Sequence, residues 1–264
     1  MNILVRELKA NLKSLLIWGG IVILFVMVGV SKFSAYYDNP EMLAVLDDMP
    51  TAMVSAFNLK AFNLTTVSGF FGVMFSYYAL LLSIAAAMWG SDIISKEERD
   101  KTVEFSLTLP VTRSRLVTAK TLAALVNCIG LLLITWGASL VGAASYQPDS
   151  GFYLFLFLCM LALFFLQLIF LAVGIFLGCA VKQYRRASSV AVSLLLGTYF
   201  LSIVIGLNKD LDFLKYLSPF KYFDAVVMLH ESRIDVTFVG LSLAIVLVSI
   251  AGAHLMYARR DLYI

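Results

Sequence analysis

FYLFLFLCMLALFFLQLIFLAVGIFLGCAV, residues 152–181, runs for thirty positions without a charged side chain. Roughly 20 apolar residues in a helix cross the ~30 Å hydrocarbon layer of a bilayer, where each backbone N–H and C=O must be satisfied within the segment. This stretch is long enough to do so, and five more of its kind follow the same logic. They lie near Leu15–Ala35, Val67–Ile94, Thr121–Tyr146, Ala187–Leu207 and Val236–Tyr257. Hydrophobic residues make up 61% of the 264-residue chain and charged residues 14%, and the mean hydropathy is +0.91, far from the balance of a water-soluble domain. The expectation is an all-α integral membrane protein of six transmembrane helices. The connections are too short for a soluble catalytic or nucleotide-binding domain, so residues 1–264 read as a single transmembrane domain.

Ahead of the first span, Leu4, Leu8, Leu12 and Leu15 recur at helical spacing while Arg6, Lys9 and Lys13 lie largely off that line. This pattern predicts an amphipathic N-terminal helix resting in the headgroup layer; the alternative is that these are the first turns of the first span. A signal-peptide reading is disfavoured by the length of the uncharged core and by the lack of a small-x-small cleavage site. Lys and Arg collect in alternate gaps, fourteen on the side of the N-terminus and six on the other. The positive-inside rule therefore places both termini in the cytoplasm. The net charge of +3 follows from this topology and calls for no nucleic-acid partner. Cys128, Cys159 and Cys179 fall in or at the edge of spans without metal-ligand spacing and read as reduced packing residues.

Two gaps on the far side are structured. Met42, Leu46, Met49, Met53 and Phe57 trace an amphipathic helical line, with Pro50 starting a new helix. The run Leu217-Ser218-Pro219-Phe220-Lys221-Tyr222-Phe223-Asp224 is too apolar for a free loop and is expected to dip into the interface as a cap. On the basic side, residues 95–115 pass from dense mixed charge through a short apolar run to a proline-broken turn. Such a segment suits docking to a soluble partner, with Phe105, Leu107 and Leu109 supplying contact area and the charges fixing register. An ordinary solvated loop with basic anchors is the alternative.

The run Glu97-Glu98-Arg99-Asp100-Lys101-Thr102-Val103-Glu104, followed by Leu109-Pro110-Val111-Thr112-Arg113 and Lys120, resembles the stretch after the second helix in permease subunits of ABC-2 type ATP-binding-cassette transporters. It departs from that family's pattern at Asp100, where glycine is usual. Met49-Pro50, Ser218-Pro219-Phe220 and Arg259-Arg260-Asp261-Leu262 extend the resemblance along the chain. The resemblance implies the ABC-2 exporter fold and a division of labour. A cytoplasmic ATPase dimer carries ATP and Mg, two permease chains, identical or homologous, form the pathway among membrane lipids, and this chain binds no cofactor directly. The lack of a G-x-x-x-x-G-K-[ST] loop agrees with that. By the same analogy Thr102 through Leu109 form the ATPase-coupling element, with Val103, Phe105, Leu107 and Leu109 as its apolar contacts. Glu97, Glu98, Glu104 and Arg113 make polar contacts to the ATPase or to the N-terminal helix. Export across a prokaryotic cell membrane is the implied direction and setting.

The polar candidates within the spans are Asn127, Gln167, Thr135, Ser83, Ser139 and Thr198, none of them charged. That composition favours an amphipathic or hydrophobic cargo, whether drug, peptide or lipid-like, over an ion. Asn127 and Gln167, with Tyr77 and Tyr78, are the candidate pathway-lining residues. Gly174 and Gly178 form a GxxxG pair that fits either close helix contact or lipid-face background. An intramembrane enzyme would need a base, a nucleophile or metal ligands at membrane depth. The chain offers only His230 and His254, so catalysis is not expected of it. A non-transporting scaffold or sensor remains the other class, distinguished by whether the inner loop binds an ATPase.

Overall fold

The computed structural model describes residues 3–39, 41, 43, 48–56, 59–99, 112–181 and 183–259. Six of its helices are long and apolar enough to cross a membrane: α1 (Ile3–Tyr36), α3 (Val67–Arg99), α4 (Arg113–Ala144), α5 (Ser150–Ala180), α6 (Tyr184–Leu207) and α8 (Val236–Ala258). Two short helices, α2 (Thr51–Ala56) and α7 (Ala225–Glu231), lie in the connections, and no strand occurs among the described residues. Local chemistry sets the starts. Thr112, Asp149, Asp224 and Asp235 cap α4, α5, α7 and α8 by accepting backbone N–H groups of their first turns, which leaves fewer orphan donors at each end. Pro50 precedes α2, as expected of a residue that cannot continue a preceding hydrogen-bonded turn.

The N-terminal turns do not form a separate element. α1 continues from Ile3 to Tyr36 as one 34-residue helix, with Leu4, Leu8 and Leu15 against the core and Leu12 exposed. Of the first far-side gap, Met42, Leu46 and Phe57 lie outside the described residues, and Met49 packs partly buried on the core.

α3 and α5 form the central pair, with α6 against α3, α8 against α5, and α1 packed on α4. Water does not drive helices together inside a bilayer, so van der Waals fit must do so. Glycines on both central helices supply that fit. A Cβ at Gly174 would lie 2.6 Å from the Ala87 carbonyl oxygen and one at Gly178 2.9 Å from that of Ser91, while one at Gly90 would strike the Leu171 carbonyl. The GxxxG pair is thus a helix contact and not lipid-face background. On the outside, Leu24 and Met27 of α1, Val141 of α4 and Leu247 and Val248 of α8 are exposed, as suits a surface facing acyl chains or another subunit.

The far end is closed by two 3-10 segments, Lys209–Leu217 and Pro219–Lys221, that run into α7. Ser218, Pro219, Tyr222 and Phe223 are buried. Phe223 stacks on Phe165 at 5.8 Å, Phe220 meets Tyr199 edge-on at 5.2 Å, and Tyr222 stacks on Phe238 at 5.0 Å. Ser218 donates its hydroxyl to the Thr198 carbonyl at 2.8 Å. The aromatic run therefore inserts among α5, α6 and α8 as an anchored cap.

Candidate functional site at the basic end of the bundle

Glu7 of α1 is 1% exposed and pairs with Lys96, near the end of α3. Arg6 reaches the other Glu7 carboxylate oxygen at 3.5 Å. One helix along, Lys120 of α4 is also 1% exposed and donates to the Ile93 carbonyl of α3 at 2.8 Å. Charges so buried persist only when paired or hydrogen-bonded, and here the pairing joins α1, α3 and α4 at one level. Trp89 Nε1 donates to Ser14 Oγ at 2.8 Å, a second tie between α3 and α1. Ser91 and Ser188 hydroxyls meet at 3.0 Å, tying α3 to α6.

Arg113, at the first position of α4, donates to the Tyr257 and Ala258 carbonyls at 3.4 Å each. These carbonyls belong to the last turn of α8, where a cation suits the helix dipole. The ends of α1, α3, α4, α6 and α8 are thus tied together around the place where the chain leaves α3 after Arg99 and re-enters α4 at Arg113. A force applied to the intervening segment would reach the membrane helices through this joint.

Of the residues singled out as ATPase-coupling, Arg113 is in the joint. Glu97 and Glu98 occupy the last turn of α3 as backbone. Thr102, Val103, Glu104, Phe105, Leu107 and Leu109 lie outside the described residues. Asn127 and Gln167 are buried inside this chain's own bundle, where Gln167 Nε2 donates to the Cys128 carbonyl at 3.3 Å, bridging α5 and α4. Tyr78 is buried against Phe25 and Phe71, and half-buried Tyr77 also meets Phe25. Of the four, Tyr78 lines a small cavity between α1, α3, α4 and α5.

Sequence reasoning counts Lys96 and Lys120 among the basic-side cations, Lys120 also within the family-like run, and passes over Glu7 and Asp92. The structure buries Glu7 and Lys120, leaves little of Lys96 exposed, and half-buries Asp92 within α3. A carboxylate two residues inside an apolar run, as Asp92 is, was the available signal, because a charge at that depth requires a partner. For the enzyme class, the nearest approach is the Ser114 hydroxyl at 3.3 Å from His254 Nδ1. Ser114 is exposed, and among the described residues no carboxylate orients the imidazole. No cluster of three potential metal ligands occurs among the described residues either.

The family model described as ABC-2 family transporter protein matches residues 1–262. The chain belongs to the ABC-2 transporter family. No curated protein matches it significantly. As an ABC-2 family member it is a multi-pass membrane subunit of a transporter and not itself the ATPase. The joint at the basic end of this ABC-2 chain borders the segment whose sequence carries the family resemblance.

Proposed function

We propose that this chain is the permease of an ATP-driven exporter of amphipathic or hydrophobic cargo, with both termini and the basic end of the bundle in the cytoplasm. Two permease chains, identical or related, form the pathway, and a dimer of ATPase subunits docks on residues 97–113. The observation that carries this reading is the joint of buried Glu7 and Lys120, half-buried Lys96 and exposed Arg113, which fastens the helices flanking that segment to the rest of the bundle. In this account closure of the ATPase dimer on ATP and Mg pushes the coupling segment. Lys96 transmits the push to α1, and the glycine contact of α3 with α5 carries it into the core. Because a packed interface of this kind resists gradual deformation, the response is a shift of whole helices.

Replacing Phe105 and Leu107 together with Asp tests the docking role. The variant is expected to insert in the membrane normally but to lose its ATPase on purification. Full retention of the ATPase with unchanged ATP turnover would refute it.

A further inference from the structure

Two cavities meet at the far end, on either side of the Pro219–Asp224 turn. The inner one, of about 130 Å³, lies between α3, α6 and the cap and is walled by Phe62, Phe75, Tyr199 and Phe220. The outer one, of about 640 Å³, opens toward the polar surface beside Tyr222 and Phe238. Lys221, Phe223 and Asp224 line both.

The charges around the outer cavity are mostly committed. Lys215 binds Asp212 at 2.7 Å, and Arg233 is held by Glu231. Asp224 and Asp235 accept the N–H groups of Val226 and Thr237, each at 2.8 Å. Half-buried Lys221 stands apart, for it makes no hydrogen bond or ion pair through its ammonium among the described residues. An ammonium on the wall between an aromatic slot and an open polar vestibule is the recognition chemistry of a molecule with an acid head and an apolar tail.

We propose that the two cavities form one site for an anionic amphiphile, whose phosphate or carboxylate head sits on Lys221 and whose tail lies against the ring wall of Phe62, Phe75, Tyr199 and Phe220. As the exit-side chemistry of the cargo, this assignment rests on the exporter reading. The site itself does not depend on an ATPase.

The full chain in a non-ionic maltoside micelle is titrated with dodecyl phosphate, and the bound fraction is read by native mass spectrometry. Saturable binding is expected, weakened about tenfold or more by Lys221→Ala, as for loss of a charge-assisted hydrogen bond. Lys221→Arg should restore most of it, and Lys13→Ala, an exposed position at the opposite end of the bundle, should leave it unchanged. Dodecanol and inorganic phosphate should each fail to displace the probe. Equal binding by Lys221→Ala overturns the site, displacement by dodecanol overturns the role of charge, and displacement by inorganic phosphate reassigns the site to a free anion. Lys221-dependent binding by a chain that captures no ATPase would sink the exporter reading and leave the site standing; an ATPase-bound chain blind to dodecyl phosphate would do the reverse.

Discussion

Lys96→Met would leave the Glu7 carboxylate buried with, among the described residues, Arg6 alone to compensate it, 3.5 Å away and with 27% of its side chain open to competing water. Orphaning one member of a buried ion pair costs about 3–5 kcal/mol. The lower end applies here, because Arg6 remains and the site lies at an end of the bundle. The converse variant, Glu7→Met, should cost less, on the order of 1–2 kcal/mol, since the Lys96 side chain is already 14% exposed and can carry its ammonium toward water. Replacing both residues with Met removes the charges together and should fall close to wild type, as apolar replacements of buried pairs often do. With single losses of about 3 and about 1–2 kcal/mol and a double variant near wild type, the cycle predicts a coupling of roughly 4–5 kcal/mol between the two positions, well above the scatter of independent sites. Thermal unfolding of the detergent-solubilised protein, followed by loss of monodisperse material, reads wild type and the three variants. Additive losses, or two single variants as stable as wild type, would refute the claim that this pair holds α1 to α3.

Gly174→Ala should destabilise by roughly 1–3 kcal/mol through overpacking, because its Cβ would meet the Ala87 carbonyl oxygen at 2.6 Å. Gly137→Ala, with nothing within 4 Å, should be neutral or gain up to about 1 kcal/mol of helix propensity; the same melting assay separates them. The three buried cysteines should resist maleimide in the native protein and react only after denaturation in SDS, as mass shifts will show. Hydrogen bonds from Thr237, the backbone N–H first, hold the Asp235 carboxyl below its ordinary value. Such a group stabilises the fold at pH above its unfolded pKa of about 3.9 and loses that contribution as pH falls through the lower folded value. The difference in melting temperature between wild type and Asp235→Leu should therefore stay constant above about pH 4 and close below it.

The spans were legible because the bilayer leaves the sequence little freedom: Val67, Leu207 and Val236 mark helix ends in both readings. The capping role of the 217–224 run was legible too, since four aromatic or proline residues in eight positions cannot sit in water as a free loop. Less legible was the partner of each face. Gly174 and Gly178 carry the same motif whether they meet lipid or α3, and only the approach of the Ala87 and Ser91 carbonyls decides it. Least legible was the basic joint. A lysine that anchors a loop in water and one buried against Glu7 look alike in one dimension, and the pairing spans 89 positions between Glu7 and Lys96. Lys221 was hidden for a related reason, as its isolation depends on how neighbouring charges choose partners in space.

The central claim is that an ATPase works through this chain. Affinity purification of the tagged protein from native membranes in mild detergent, with the identity and stoichiometry of whatever co-purifies, tests it most directly. A P-loop ATPase at one copy per permease, crosslinkable through residues 95–115, is the expected result. A chain recovered alone, with no ATPase even after crosslinking through that segment, would contradict it.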